Sequence, residues 1–338
     1  MRRPRVLVVD DSAFARTVLA RLMRASGLID VVGTARDGRD GLERIAELDP
    51  DVVTLDLTMP DLDGLAVLRA LQGRSRPRVL VVSVSTIDTE ICAEALSLGA
   101  IDLIAKPTAL ATDRLREIGE ELVAKVLAAA AGLLAAVAPT TAALPHSSRV
   151  GRADLIMIGT STGGPQALTR LMAALPATLA APVAMVLHIP AGYTDALARR
   201  LDKGSPLDVV EAEDGLVLRP GLVVLARGGM HLRIERDGLV LRARLGVLPI
   251  SPFTPSVDEL FTSGAAAVGA GALGVVLTGM GDDGLAGSRA IAAAGGALLT
   301  ESASTCVVYG MPRCVAEAGL GSMSVTLDSM AGEIASRV

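Results

Sequence analysis

The sequence predicts an α/β protein of two domains, and three observations carry that reading. Its 338 residues, 51% of them hydrophobic, exceed the usual size of one domain and suffice for two cores. Short apolar runs alternate with helix-length amphipathic runs in both halves, the pattern of parallel sheets covered on both faces. Between the halves, Ala138 to Gly151 (APTTAALPHSSRVG) holds two prolines, several hydroxyl residues and no periodicity, which reads as an interdomain tether. The expected division is 1–128, a linker over 129–150, and 151–338.

In the first domain the expected elements are strands Arg5 to Val9, Val31 to Ala35, Val52 to Leu55, Val79 to Ser83 and Asp102 to Ile104. Helices are expected over Ser12 to Ala25, Gly38 to Glu47, Gly64 to Gln72 and Thr89 to Leu98. Leu115, Ile118, Leu122 and Val126 lie at helical spacing, so Thr112 to Leu134 should form a closing helix. The second domain resumes with Leu155 to Ile158, Pro165 to Ala174, Val183 to Leu187, Tyr193 to Lys203 and Leu207 to Val210. Leu216 to Arg244 reads as two hairpin-like pairs, with Arg236-Asp237-Gly238 at one turn; Val257 to Val268, Leu273 to Thr278 and Leu285 to Ala294 then restore the α/β order. The expected fold is a doubly wound domain followed by a parallel α/β domain with a β-hairpin insertion.

Composition narrows the function. A net charge of −5 and pI near 5.4 lack the basic footprint of a nucleic-acid binder. Three cysteines, Cys92, Cys306 and Cys314, are too few and too irregular for a disulfide framework or zinc site, so a reducing, cytoplasmic setting is expected. Aspartates interrupt the apolar run of MRRPRVLVVDD, which therefore reads as a strand rather than a signal peptide. Lys125 interrupts Ala124 to Ala138, which is also shorter than the roughly 20 residues of a bilayer span.

In a parallel sheet the polar sites gather beyond the carboxyl ends of the strands. In the first domain Asp10 and Asp11 end the first strand and Asp56 the third, and three converging carboxylates call for a hard divalent cation, magnesium. Ser83 and Lys106 end the fourth and fifth strands, adding a hydroxyl and an ammonium suited to the oxygens of a phosphoryl group on Asp56. Taken singly, each aspartate is more often a helix cap or turn residue; their common register argues otherwise. A cis Lys106-Pro107 bond would suit a lysine held pointing into the site.

In the second domain the run Leu155 to Gly164 (LIMIGTSTGG) breaks from strand into a glycine-rich turn that exposes Ser161, the spacing of an activated serine nucleophile. Of three histidines, His146 lies in the tether and reads as a solvated surface residue, and His231 lies in a hairpin strand. His188 directly follows the next strand and is the expected base. The loop VVLTGMGDDG offers Asp282 and Asp283 to orient it; one of them is expected to cap the helix starting near Leu285, and position does not rank them. Backbone N–H groups of the turn and of the helix start before Pro165 are the expected oxyanion donors. The order Ser, His, Asp differs from that of α/β-hydrolases. Two rival readings are a nucleotide-phosphate cradle at the turn, which lacks both GxGxxG and the P-loop lysine, and a hydrolase of small esters.

VLVVDDS, LDLTMPDLDGL, VVSVST and GAIDLIAKP resemble, in content and spacing, the receiver domains of response regulators over residues 4 to 128. That resemblance implies a phosphoacceptor at Asp56, magnesium held by Asp10, Asp11, Asp56 and the backbone carbonyl of Thr58, and phosphate sensing by Ser83 and Lys106. Leu103 and Ile104 stand where many receivers carry a switch aromatic. GTSTGG, LHIP, TPSVDELF, LTGMGDDG and CVVYGMPR resemble the signature blocks of the chemotaxis protein-glutamate methylesterase (CheB) family over residues 152 to 319. It implies Ser161, His188 and Asp283 as the triad, a positioning role for Thr162, and Met280 beside the histidine and oxyanion. Thr254 replaces the arginine common before PSVD. The implied function is phosphorylation-regulated demethylation of glutamate esters, and deamidation of glutamines, on chemotaxis receptors. A chemotaxis histidine kinase would be the phosphodonor, an unphosphorylated receiver would cover the cleft, and the hydrolysis itself would use no cofactor.

Overall fold

The computed structural model describes residues 2–74, 76–83, 89–106, 112–135 and 152–338. The Lys106-Pro107 bond, the tether and His146 lie outside the described residues. The chain divides into two compact units, Met1–Leu134 and Ala135–Val338. Among the described residues no helix is long and apolar enough to cross a membrane.

In the first unit, β1 (Arg5–Val9), β2 (Asp30–Ala35), β3 (Val52–Leu55), β4 (Arg78–Ser83) and β5 (Asp102–Ala105) alternate with α1 (Ala13–Ala25), α2 (Gly38–Leu48), α3 (Gly64–Leu71), α4 (Thr89–Ser97) and α5 (Thr112–Ala135). The strands pair in parallel in the order β2-β1-β3-β4-β5. Val6 to Val9 and Val52 to Leu55 are buried on both faces, as continuous apolar strands in a covered parallel sheet must be. Ser12, Asp37 and Asp63 cap α1, α2 and α3 by accepting backbone N–H bonds with their side chains. The order reverses at β1, between β2 and β3, so the ends of β1 and β3 flank the crevice where such sheets place their sites.

In the second unit the elements run β6 (Leu155–Thr160), α6 (Gly164–Ala174), β7 (Val183–Leu187), α7 (Thr194–Gly204), β8 (Asp208–Glu211), β9 (Val217–Leu218) and β10 (Leu222–Leu225). They continue with β11 (His231–Asp237), β12 (Val240–Gly246), α8 (Val257–Val268), β13 (Ala272–Val276), α9 (Leu285–Ala293), β14 (Ala297–Glu301), α10 (Met311–Glu317), β15 (Met323–Val325) and α11 (Leu327–Ala335). Seven strands form a parallel sheet ordered β15-β14-β13-β6-β7-β10-β8. The order reverses at β6, with β7 on one side and β13 on the other.

The 216–244 stretch differs from two hairpins. β11 and β12 form a hairpin, but β10 leaves the insertion and pairs in parallel with β7 and β8, while β9 joins β12 to make a small antiparallel sheet. Burial explains the difference: all four residues of β10 are buried, as a central parallel strand requires, whereas a hairpin arm would expose every second one. The inserted sheet presses Leu232, Ile234, Leu241 and Ala243 into the main core beside Leu260 and Phe261 of α8.

Candidate functional site

β6 is buried throughout and delivers its last residue into the turn Ser161-Thr162-Gly163. Gly163 sits at φ +85°, and a Cβ there would lie 2.5 Å from the Val307 side chain, so only glycine suits both the dihedral and the space. Gly164 N–H donates to the Ser161 carbonyl at 2.7 Å, closing the turn, and Pro165 starts α6 without needing a donor. Ser161 thus stands at the lip of the sheet, 8% exposed.

Thr160 pairs with Leu187 across β6 and β7, and His188 N–H donates to the Thr160 carbonyl at 3.2 Å, so Ser161 and His188 leave adjacent strands at the same level. His188 Nε2 meets Asp283 Oδ2 at 2.7 Å. Phe253 stacks flat on the imidazole, with ring centroids 4.4 Å apart and planes 1° from parallel. His188 Nδ1 is buried and has no hydrogen-bond partner among the described residues. The structure therefore holds a buried histidine–carboxylate pair, with the second ring nitrogen unpaired. Ser161 makes no hydrogen bond to that nitrogen.

Asp283 does a second job. Its carboxylate accepts Val257 N–H at 2.7 Å, Asp258 N–H at 3.1 Å and the Ser256 hydroxyl at 2.9 Å, capping α8 from outside. Burial alone would raise its pKa; the hydrogen bond and charge of His188 and the two backbone donors outweigh that and hold it below the usual carboxylate value. The expected cap on the helix at Leu285 is a correction: neither Asp282 nor Asp283 provides it. Asp258 accepts Gly284 N–H at 3.0 Å and Gly287 N–H at 2.6 Å, so α8 and α9 cap each other through Asp283 and Asp258, while Asp282 is exposed. α9 has no side-chain cap of its own because Gly284, at φ +98°, occupies the cap position.

Thr162 is buried, and its carbonyl accepts the Thr278 hydroxyl at 2.9 Å. Met280 is half-buried and follows Gly279, where a Cβ would fall 2.9 Å from Ser161 Cβ. Thr254 lies on the loop carrying Phe253 and accepts Gly229 N–H at 3.3 Å through its carbonyl. His231 is fully buried, with Nδ1 accepting Ser256 N–H at 3.2 Å and Nε2 2.9 Å from the Pro249 carbonyl, so it ties this loop to β11. Sequence reasoning missed Ser256, Asp258, Phe253 and Thr278. Their contacts join segments 23 to 118 positions apart, which no local spacing reveals.

In the first unit, ligand oxygens of Asp10, Asp11 and Asp56 lie within 4.8 Å of one another. Lys106 Nζ stands 2.8 Å from Asp10 Oδ2 and 2.6 Å from Asp56 Oδ2. Burial lowers the proton affinity of Lys106, but bonds and charges from the two aspartates outweigh it, keeping the ammonium above its ordinary pKa. Burial raises Asp56, with Lys106 pulling the other way. Thr58 N–H reaches Asp56 Oδ1 at 3.4 Å, and Ser83 adjoins through its carbonyl, which accepts Lys106 N–H at 2.7 Å. Three carboxylates around one small volume, with a single ammonium among them, fit a divalent cation.

Residues 156–334 match the family model described as CheB methylesterase, and residues 6–118 match the response regulator receiver domain. A protein-glutamate methylesterase/protein-glutamine glutaminase of Myxococcus xanthus is 57% identical over 333 residues, covering 96% of this chain and 95% of its own. Another bearing that description, from Symbiobacterium thermophilum, is 43% identical over 99% of this chain and 97% of its own. The crystal structure of the Thermotoga maritima CheB methylesterase catalytic domain superposes with a TM-score of 0.54 at 35% identity, covering 55% of this chain and 99% of that one.

Proposed function

From this chain's membership of the CheB methylesterase family, with a receiver domain ahead of the catalytic unit, we infer that it is a phosphorylation-regulated protein-glutamate methylesterase that also deamidates protein glutamines. The observation that carries the catalytic reading is the 2.7 Å pair of His188 and Asp283 on the strand end beside Ser161, with the other imidazole nitrogen unpaired. Ser161 Oγ attacks the ester carbonyl carbon while His188 Nδ1 takes its proton. Asp283 holds Nε2–H and balances the imidazolium charge. The tetrahedral intermediate collapses, His188 returns the proton to the leaving methoxy oxygen, and methanol departs. Water, activated by the same nitrogen, then cleaves the acyl-serine to the glutamate carboxylate. A glutamine side chain follows the same course with ammonia leaving. The N–H groups of Ser161 and Gly164 are engaged with the carbonyls of Thr278 and Ser161; the oxyanion is assigned to the backbone of the turn that carries the nucleophile, with Met280 beside it, a donor there being worth about 3 kcal/mol. Thr162 positions this turn.

The reading continues into the first unit. Asp56 is the phosphoacceptor; Asp10, Asp11, Asp56 and the Thr58 carbonyl would hold magnesium, which supplies charge neutralisation for phosphoryl transfer. Lys106 and Ser83 receive the phosphoryl oxygens. The regulatory domain over 1–128 and the catalytic domain over 151–338 are joined by 129–150, whose first residues continue α5. Unphosphorylated, the regulatory domain restrains the Ser161 cleft. Substrates are methyl-accepting chemotaxis receptors, the phosphodonor is a chemotaxis histidine kinase, and the setting is the cytoplasm. The test is methanol release from methylated receptors by the intact chain with and without a phosphodonor, and by residues 151–338 alone. Release that phosphodonor raises towards the rate of the isolated domain supports the reading; equal rates in all three reject restraint, and no release rejects the substrate.

A further inference from the structure

Among the described residues, Glu301 is a fully buried carboxyl that the mechanism does not use. Glu301 ends β14, two strands from β6, and its Oε2 accepts Thr278 N–H at 2.8 Å. Thr278 lies just past β13, where the chain leaves the sheet. Its predecessor still bonds along the ladder, Leu277 N–H to the Gly159 carbonyl at 2.9 Å, but on the β14 side the Glu301 side chain takes the place of the next ladder acceptor. Thr278 in turn grips three successive residues at the nucleophile. Its carbonyl accepts the Thr160 hydroxyl at 2.7 Å and Ser161 N–H at 3.0 Å, and its hydroxyl donates to the Thr162 carbonyl at 2.9 Å while accepting Val308 N–H at 2.9 Å.

We propose that Glu301, acting through Thr278, is a positioning residue that holds the Ser161 turn in its reactive geometry. It touches no reacting atom. Removing its acceptor leaves a buried N–H unpaired at the residue that carries the turn, and an unpaired buried donor is relieved by moving the backbone that bears it. A shift below an ångström at a nucleophile is costly to rate, whereas ground-state binding elsewhere in the cleft is untouched. Burial raises the Glu301 carboxyl above its ordinary pKa, so a neutral side chain of the same shape suits the position.

This proposal rests on Ser161 being the nucleophile, so the experiment reads the serine directly. The rate of fluorophosphonate labelling of Ser161, and kcat and KM for methanol release, are measured in the intact protein for wild type, Glu301→Gln, Glu301→Leu and Thr278→Val. Glu301→Gln keeps an acceptor oxygen for Thr278 N–H and is expected within about twofold of wild type. Glu301→Leu is expected to lose roughly 30-fold in both labelling rate and kcat with KM unchanged, since a single misplaced contact reaches about 10²-fold. A folded Glu301→Leu that labels at the wild-type rate, a loss confined to KM, or a Glu301→Gln as impaired as Glu301→Leu would overturn the proposal. Should Glu301→Leu fail to fold, Thr278→Val decides: labelling slowed about tenfold supports the chain of contacts, and wild-type labelling overturns it. Wild type that does not label at Ser161 fails the catalytic reading itself.

Discussion

Replacing Asp283 by asparagine separates the two tasks this carboxylate performs. Oδ2 faces His188 Nε2 and Val257 N–H, both at 2.7 Å; Oδ1 faces the Ser256 hydroxyl at 2.9 Å and Asp258 N–H at 3.1 Å. The amide oxygen therefore takes the Oδ2 place, where it keeps two donors and the histidine tautomer. The amide nitrogen takes the Oδ1 place, where the hydroxyl accepts from it but Asp258 N–H loses its partner. Stability should fall by about 1–2 kcal/mol for the weakened cap. Catalysis should fall further, because the negative charge opposite the imidazolium is gone: about 4 kcal/mol for unit charges near 4 Å at the effective dielectric of a partly buried site, or roughly 10³-fold in kcat. Methanol-release kinetics and urea unfolding on the same preparation read the two effects. The pH dependence has a definite sign. Asp283 is held below its ordinary 3.8, so its ionised form stabilises the fold above that value, and the wild-type advantage over Asp283→Asn should shrink as pH falls below about 4 through the lower folded value. A kcat within threefold of wild type in a folded Asp283→Asn protein would refute the reasoning.

Further expectations address the neighbouring contacts. Gly279→Ala places a Cβ 2.3 Å from Met311 Sδ and 2.9 Å from Ser161 Cβ, so esterase activity should fall at least about 10²-fold while the unfolding midpoint moves modestly. Asp258→Ala uncaps α9 at Gly284 and Gly287 and should cost about 1–2 kcal/mol by urea denaturation. Asp56→Asn should abolish stimulation by a phosphodonor while leaving unstimulated methanol release intact, measured with and without donor and magnesium.

The strand ends were legible because they follow from a local rule. An apolar run closed by aspartate, serine, lysine or histidine identifies both the end of a buried strand and a polar group at the sheet rim, so Asp10, Asp56, Lys106, Ser161 and His188 could be placed at the rim directly. The main error at the fold level was β10, whose four apolar residues fit either a hairpin arm or a covered parallel strand; only its neighbours β7 and β8 decide. The tie between Asp282 and Asp283 was likewise not local. One-residue spacing cannot tell which carboxylate points at β7, and the capping that seemed to belong to this loop is supplied by Asp258 from the opposite helix. Phe253, Thr278 and Glu301 were unreadable for the same reason: an aromatic ring, a hydroxyl and a strand-end acid have ordinary structural uses, and their roles arise from what the sheet order brings beside them.

The central claim is that Ser161 is the nucleophile and His188 its base. Peptide mapping of the covalent adduct after fluorophosphonate treatment of wild type, His188→Ala and Ser161→Ala proteins tests it most directly. The account predicts a single adduct on Ser161, its formation strongly slowed in His188→Ala, and neither adduct nor methanol release in Ser161→Ala. A folded Ser161→Ala protein that still releases methanol from methylated receptors would contradict it.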